Sequence, residues 1–597
     1  MNSLKHNGVL VPPRYVGRGL TIRVSGEAVK LNDEKEEMAV AWAKKVGTPY
    51  VEDPVFKENF YRDFSEKLGI NVLPGDVDYS EVLRIVLQER EDKANLPAQE
   101  RKRQVIERKT DREKHKKEYG WATVDGESIE IGNYLVEPNS IFMGRGKHPS
   151  RGRWKEGPRH EDIELNLSPD APRPEGNWKA VVWEPESIWI ARWKDKLSGK
   201  LKYVWPSDAS FLKQRKDIEK FEKAEQLKEK LDAIKAHIES NLTAEDLKRR
   251  RTATVCYLID HLKFRVGDEK DDEDEADTVG ASTLRPEHVC FNADGSVTFN
   301  FLGKDSIPMN ITAELPSTVV ENLRDFAEEA GEDSLFEGVN SSQVGGFLKE
   351  KMEGLSAKVF RTLYATEAAG GKLAVETVKP DDPDYVKRQV ALRANLEAAI
   401  VCNHKRTIPK TWAQSLQKKK DRLRQLMDKA SADEKVARQK LLDEERKYRE
   451  RLRAAEERLA GAERKQEGAK AQLEETERQG KDLKRLRKRL QSARKTAKAG
   501  RERVRKLKND YLTSSQRLRK QLGERKQRNR DAAERMRLQV EAQEITRDYN
   551  LGTSLKNYID PRIYLDWGRR VGYDWKSYYP ATLQRKFSWI EHGGQES

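Results

Sequence analysis

Three short segments each set one basic side chain in a specific, non-repetitive setting. His261-Leu262-Lys263-Phe264-Arg265-Val266-Gly267 closes a helical run just before an acidic stretch. Leu302-Gly303-Lys304-Asp305-Ser306 puts a lysine at a hairpin tip, and Lys358-Val359-Phe360-Arg361-Thr362 holds an arginine beside apolar neighbours. Guanidinium groups suit phosphate because their planar fork meets two oxygens at once. Taken singly, each of these residues reads as a surface charge. His404, in Val401-Cys402-Asn403-His404-Lys405-Arg406, follows an apolar helical run, where a lone histidine is usually a satisfied core residue. Tyr558, in Ser554-Leu555-Lys556-Asn557-Tyr558-Ile559-Asp560-Pro561-Arg562, is one of 18 tyrosines and carries no signal by itself. More telling is Gly144-Arg145-Gly146-Lys147-His148-Pro149-Ser150-Arg151-Gly152-Arg153-Trp154-Lys155, where five Lys/Arg alternate with flexible glycines and one tryptophan. That composition can follow a phosphate backbone. It lacks the G-x-x-x-x-G-K-[ST] spacing of a P-loop, so no ATP site is indicated. The acidic run 271–277 lacks the rhythm of a calcium loop and reads as solvated loop.

These groups must be held by a large framework. The 597 residues leave room for about three to five domains. The net charge is +15, but its distribution is uneven. Residues 411–550 hold 43 Lys/Arg against 24 Asp/Glu, a net of +19, and the remainder is at −4. This basic segment contains no proline; Pro409 and Pro561 bracket it. Leu441, Tyr448, Leu452, Ala455, Leu459, Ala462, Ala469 and Leu473 keep a three-four spacing, as do Leu483, Leu486, Leu490, Ala493, Ala497, Val504, Leu507, Tyr511 and Leu518. One apolar seam per helix is the pattern of a coiled coil. Gly480 lies near the midpoint, where a turn would pack the halves antiparallel in arms of about 100 Å. Such a coil can serve as a DNA-facing hairpin or merely dimerise and space domains.

Residues 1–205 read as short strands among Pro, Gly and aromatics, with a helix near 33–45 and a charged helical stretch over 96–119. The pattern is helical over 213–259, alternating over 296–302 with a hairpin turn at 303–306, and helical again from Ser341. The fold class expected is multidomain α+β: a mixed α/β N-terminal clamp (1–208), a mainly α catalytic domain with a small β hairpin region (209–409), a long antiparallel coiled-coil linker (410–546) and a small C-terminal helical domain (547–597). Cys256, Cys290 and Cys402 are far apart with no C-x-x-C, which excludes a disulfide scaffold or zinc ribbon; all three are expected to be buried. No stretch approaches the ~18 apolar residues of a membrane span, and residues 1–11 lack a signal-peptide pattern, so a soluble, unexported protein is expected.

Read together and in order, these segments resemble the type IB DNA topoisomerases of the eukaryotic kind. The likeness rests on Phe301-Leu302-Gly303-Lys304-Asp305-Ser306, Ala357-Lys358-Val359-Phe360-Arg361-Thr362, Cys402-Asn403-His404 and Leu555 to Arg562. Phe142-Met143-Gly144-Arg145-Gly146 with His148-Pro149 is similar to the family's DNA-clasping lip, and Ala276-Asp277-Thr278-Val279-Gly280 matches too. The resemblance implies that Tyr558 is the nucleophile, that Arg265, Arg361 and His404 bind the non-bridging oxygens of the scissile phosphate, and that Lys304 protonates the departing 5′ oxygen. It implies DNA contacts by Arg145, Lys147, Arg151, Arg153, Asp305, Lys358 and Asn557. It further implies relaxation of positive and negative supercoils through a 3′-phosphotyrosine, with no metal site and neither ATP nor metal required, Mg2+ being at most a stimulant. The partner would be double-stranded DNA, preferentially supercoiled, clamped by a monomer, with no membrane.

Tyrosine recombinases use a similar residue set, but usually carry H-x-x-R at the second arginine, where this chain has Lys358 three residues before Arg361. A non-enzymatic coiled-coil DNA-binding scaffold is the alternative from another class. Two departures from the resemblance stand out. Eukaryotic members carry a long charged N-terminal tail, whereas this chain begins almost at the folded core. An archaeal source is therefore expected, with the protein in the cytoplasm on the nucleoid, or in the nucleus if the source is eukaryotic. The coiled linker is also much longer than usual; with its net of +19 it could brush a rotating duplex by screened attraction.

Overall fold

The computed structural model describes residues 1–267, 278–479 and 483–592. The acidic run 271–277, Ala276-Asp277 and the turn expected at Gly480 lie outside the described residues, as does the side chain of Asp305. The chain divides into two compact units. One holds Met1–Asp382, Val390–Thr407 and Tyr549–Ser597; the other holds Pro383–Gln389 and Ile408–Asp548. No helix among the described residues is long and apolar enough to cross a membrane.

The front of the first unit is more helical than the short strands expected there. Helix α1 (Asp33–Ala43) starts where Asn32 accepts from the Lys35 amide. Helix α2 (Pro54–Leu68) starts where Asp53 accepts from the Phe56 amide, has proline in its first turn, and stops at left-handed Gly69. Phe56, Phe60 and Phe64, four apart, form one apolar stripe of α2 that packs around Trp42 and is fully buried. Helices α3 (Ser80–Asn95) and α4 (Ala98–Tyr119) follow, α4 with no buried residue. Small sheets complete this lobe. Leu4–His6, Trp121–Val124 and Glu127–Glu130 are antiparallel, and Ile163–Asn166 is flanked by Ala180–Val182 (parallel) and Ala191–Lys194 (antiparallel).

His6 lies inside this lobe, its Nδ1 accepting from the Gly8 amide at 3.0 Å and its Nε2 donating to the Asn166 carbonyl at 2.9 Å. Both ring nitrogens are thus committed to the neutral form, and burial lowers the imidazole pKa from 6.5 to about 4. The folded state therefore binds fewer protons than the unfolded one between those values. The stabilisation is full above pH 6.5 and is lost as pH falls through about 4. We expect the unaltered chain to lose about 3 kcal/mol more than His6→Gln over this window, read from urea midpoints against pH. Parallel pH curves for the two chains would refute the assignment.

The second lobe of the first unit carries α5 (Phe211–Asn241), α6 (Leu247–Leu262), α7 (Ser317–Ala330), α8 (Ser341–Lys349), α9 (Ala357–Val375) and, from Val390 on, α10 (Asp384–Val401), whose first residues belong to the second unit. Its antiparallel sheet runs Val289–Phe291, Val297–Gly303, Ile307–Ala313, with Gly303 opposite Ile307 at the expected hairpin tip. Cys256 and Cys402 are buried as expected, but Cys290 is exposed. It sits on the sheet's outer strand, where alternate side chains face away from the core. Helix α9 joins two cores: Val359, Phe360 and Leu363 enter one, while Ala365, Ala369 and Leu373 enter the other.

The second unit is an antiparallel helix pair, α11 (Trp412–Arg478) and α12 (Lys484–Ile545). Ion pairs Glu434–Lys526, Glu456–Lys508, Glu463–Arg501 and Glu477–Arg487 cross between them, one partner's number falling as the other's rises. Seam residues Ala455, Ala469, Leu490, Ala497 and Val504 are buried, and the Tyr448 and Tyr511 rings stack at 3.8 Å. Within this unit Tyr385, from the segment Pro383–Gln389, donates to Asp531 at 3.2 Å.

The tail returns to the first unit as α13 (Leu551–Asn557), α14 (Arg562–Val571) and α15 (Ala581–Lys586). Its aromatics Tyr564, Trp567, Trp575, Tyr578 and Tyr579 pack on α9 and α10 in one core. The Tyr564 hydroxyl donates to the Ala391 carbonyl at 3.2 Å, and Asn395 donates to the Tyr578 hydroxyl at 2.9 Å.

Candidate active site

One cavity of about 570 Å³ is lined by Arg265, Lys304, Arg361, His404 and Tyr558, residues that come from five separate stretches of chain. Lys358 and Asn557 line it as well. Each side chain is delivered by an identifiable device. Arg265 follows α6, which ends at Lys263 in the left-handed conformation (φ 58°). The extended segment after it is held by backbone bonds from Ala281 to the Arg265 carbonyl at 2.8 Å and from Ser282 to the Val266 carbonyl at 2.7 Å. A side chain at Gly280 would collide with the Gly267 backbone, so the close approach of these two segments requires glycine here. Lys304 is exposed on the hairpin tip. Arg361 lies in the second turn of α9, and His404 follows α10 through Asn403 at φ 52°. Three of the five non-glycine residues with positive φ among the described residues, Lys263, Ser306 and Asn403, lie within two positions of Arg265, Lys304 and His404. Backbone strain of this kind concentrates where side chains must be aimed.

Tyr558 ends α13 and is 4% exposed. Its hydroxyl is 3.4 Å from Arg265 Nη1, its ring lies 4.9 Å from the His404 ring, and the Arg361 guanidinium carbon is 5.2 Å from its centroid. Thr366 pins the turn beneath it, donating to the Tyr558 carbonyl at 3.3 Å and accepting from the Asp560 amide at 3.0 Å. Arg361 is equally buried. Its Nη1 donates to the Lys263 carbonyl, and its Nη2 donates to the Cys402 carbonyl at 2.6 Å and to His404 Nε2 at 2.9 Å. Arg361 Nε has no hydrogen-bond partner among the described residues and is a donor in reserve. His404 Nδ1 lies 2.6 Å from Ser554 Oγ. Burial, then the charges of Arg361 and Arg265, push the His404 pKa down to about 2. Burial also lowers the Arg361 pKa, and it raises that of the Cys402 thiol. Lys263 is lowered to about 8, again chiefly by burial.

The site is therefore a recessed phenol facing two guanidinium groups and a neutral imidazole, with an ammonium at the rim. Such donors can hold a phosphoryl group in line with the phenol oxygen and stabilise charge as it develops on the equatorial oxygens.

The basic loop lies elsewhere on the first unit and is braced by α2. Arg151 pairs with Asp53 at 3.0 Å, Arg153 makes two 2.8 Å bonds to Asp63, and Asn59 donates to the Pro149 and Arg151 carbonyls. Arg151 and Arg153 thus shape the loop, while Arg145 and Lys147 are exposed at its tip. That tip reaches the lysine hairpin: a side chain at Gly146 (φ 58°) would strike Ser306.

Sequence reasoning missed Ser554 and Lys263. The first had a readable signal, since four residues before Tyr558 is the same face of a helix. The second has none, because a lysine in left-handed conformation is not marked by composition.

Comparison with known proteins places these observations in a family. Residues 209–437 match the profile for "Eukaryotic DNA topoisomerase I, catalytic core", residues 1–206 that for "Eukaryotic DNA topoisomerase I, DNA binding fragment", and residues 530–596 that for "C-terminal topoisomerase domain". The chain is 34% identical over 601 residues to DNA topoisomerase 1 beta of Arabidopsis thaliana, covering 98% of this chain and 58% of the relative. It is 38% identical over 438 residues to the alpha protein of the same plant, covering 71% of this chain and 47% of that one. To DNA topoisomerase 1 of Homo sapiens it is 30% identical over 615 residues, 98% of this chain and 70% of the relative. The chain thus spans about half the length of the two plant relatives. These relatives are eukaryotic and lend no support to an archaeal source.

Proposed function

The chain belongs to the eukaryotic DNA topoisomerase I family, and from that premise we propose that it relaxes positive and negative supercoils in duplex DNA by cutting and rejoining one strand. The observation that carries the reading is the convergence of Arg265, Lys304, Arg361, His404 and Tyr558 on a single cavity. The Tyr558 oxygen attacks the scissile phosphorus, the phenol gives up its proton to water in the cavity, and the bond to the 5′ oxygen breaks. Lys304 supplies the proton that the departing 5′ oxygen takes. Arg265, Arg361 and His404 hold the non-bridging oxygens, where two guanidinium charges and an imidazole N–H stabilise the transition state more than the ground state. One phosphodiester is exchanged for another, so the energy for rejoining stays in the phosphotyrosine. Neither ATP nor a metal ion is required, with Mg2+ at most a stimulant.

The partner is double-stranded DNA, preferentially supercoiled, gripped by a monomeric clamp. Supporting the clamp is the approach of Gly146 to Ser306, which brings the basic loop against the lysine hairpin. Arg145 and Lys147 at the loop tip, with Lys358 and Asn557 at the cavity, touch the backbone; Arg151 and Arg153 hold the loop in shape. The basic helix pair slows rotation by screened attraction to the duplex. Its place of work is chromosomal DNA, in a nucleoid or a nucleus according to source.

Plasmid relaxation tests this. Both positively and negatively supercoiled plasmid should relax in EDTA without ATP, leaving a covalent 3′ adduct under denaturing quench. Dependence on a defined target site, or dependence on ATP, would overturn the reading.

A further inference from the structure

We infer that Ser554 is a positioning residue for His404, setting the tautomer of the imidazole and, by turning its hydroxyl around, allowing the ring to donate from Nε2 once a phosphate is bound. The inference rests on the topoisomerase reading and deepens it.

The argument starts from donors that cannot accept. A guanidinium has only N–H groups. Arg361 Nη2 lies 2.9 Å from His404 Nε2, so in the free protein Nε2 is the acceptor. A neutral imidazole has one proton, which must then sit on Nδ1 and be donated to Ser554 Oγ at 2.6 Å. Ser554 is completely buried and His404 is 4% exposed, so the bond is shielded from bulk solvent while the ring still faces the cavity.

A phosphate oxygen reverses the requirement. It only accepts, so His404 can serve it only by donating from Nε2. The proton must leave Nδ1 and another must arrive at Nε2, exchanged through solvent in the cavity, with the charge on the ring unchanged. Nδ1 then becomes an acceptor and needs a donor. A hydroxyl can supply one, because its proton rotates while its oxygen stays in place. A carboxylate or a carbonyl there would pin the proton on Nδ1 and leave Nε2 an acceptor for good. The same event frees Arg361 Nη2 from the ring, so both groups turn to the phosphate together, while the bond to the Cys402 carbonyl keeps the guanidinium in place.

The placement of Ser554 fits this role. It lies one helical turn before the tyrosine, and its carbonyl accepts from the Tyr558 amide at 3.0 Å. Thus α13 fixes the phenol and the histidine tautomer with a single turn.

The test uses the full chain and one duplex oligonucleotide carrying a cleavable site. Selective 15N labelling of histidine in a Tyr558→Phe background, which holds duplex without reacting, reads the tautomer directly. Without duplex, Nδ1 should be protonated and Nε2 bare; with duplex, the two should exchange. In parallel, Ser554→Ala in the otherwise unaltered chain should slow single-turnover cleavage about 10- to 100-fold, the size seen when a partner orienting a histidine is lost, with duplex affinity retained. The inference is overturned if Nε2 carries the proton before duplex is added, if the ring is doubly protonated at neutral pH, if duplex leaves the tautomer as it was, or if Ser554→Ala cleaves at the unaltered rate. Absence of any adduct from the unaltered chain would instead sink the topoisomerase reading. That failure is distinguishable because the spectra are read without the nucleophile.

Discussion

Tyr558→Phe is expected to bind duplex DNA as the unaltered chain does and to lose relaxation and adduct formation by at least about 10,000-fold. The size follows from what the substitution removes. The ring remains, so its 4.9 Å contact with His404 and its place under Arg361 are kept. Leu555 and Ile559, buried on either side, hold the turn independently of the hydroxyl. Only the oxygen facing Arg265 at 3.4 Å disappears, and with it the sole atom assigned to bond phosphorus. The lining also holds the Cys402 thiol and the Thr553 hydroxyl, but the thiol is fully buried and turned to the Arg361 carbonyl, and neither faces Arg265 as the phenol does. Gel-shift affinity and relaxation measured on one preparation decide the matter. Relaxation within 100-fold of the unaltered chain would mean that the nucleophile is another residue.

Arg361→Lys is expected to cost about 1,000-fold in cleavage, and Arg361→Ala at least as much. An ammonium keeps the charge but not the fork. Arg361 divides its donors among the Lys263 carbonyl, the Cys402 carbonyl and His404 Nε2, three acceptors on two different stretches of chain. A lysine satisfies at most part of that set. Alanine leaves buried carbonyls without partners, each costing about 1–3 kcal/mol. Its activity should therefore be read beside a thermal melt, and the lysine variant, with its milder structural cost, gives the cleaner measure of catalysis. His404→Gln should lose less than either arginine variant, about 100-fold, since it removes one donor among several. Cleavage by Arg361→Lys within tenfold of the unaltered chain would show that the bidentate geometry is dispensable.

How much of this was legible beforehand depends on the range of the interaction. The hairpin of Val297–Gly303 and Ile307–Ala313 follows from alternation and a polar tip, both local properties. The seam through Ala455, Ala469, Ala497 and Val504 follows from spacing along one helix. The five residues around the cavity were reached through resemblance, because nothing in a lone histidine or one tyrosine among 18 declares a role. Helices α2 and α3 differ from the expected short strands: the aromatic stripe of α2 and the buried Val82 and Val86 of α3 lie in a region whose glycines and prolines suggest strands. Burial around Trp42 decided the matter, and that is tertiary. Cys290 was expected inside for a similar reason: apolar neighbours in sequence do not say which face of an outer strand meets water. The bonds from His404 to Ser554 and from Arg361 to Lys263 span 150 and 98 positions, beyond the reach of any pattern along the chain.

Two backbone contacts at the wall of the cavity bear on the great length of the basic helix pair. Lys405 and Tyr549 form an antiparallel bridge, and the Asn550 amide donates to the His404 carbonyl at 2.7 Å. The excursion between them leaves and returns through adjacent segments, like a loop drawn from a closed seam. Its ends are fastened whatever lies between, and each doubling of a flexible insertion's length adds only about 0.6 kcal/mol of closure entropy. Evolution could therefore lengthen or shorten this excursion without shifting the phenol relative to the imidazole, leaving its size free to answer demands that have nothing to do with bond breaking.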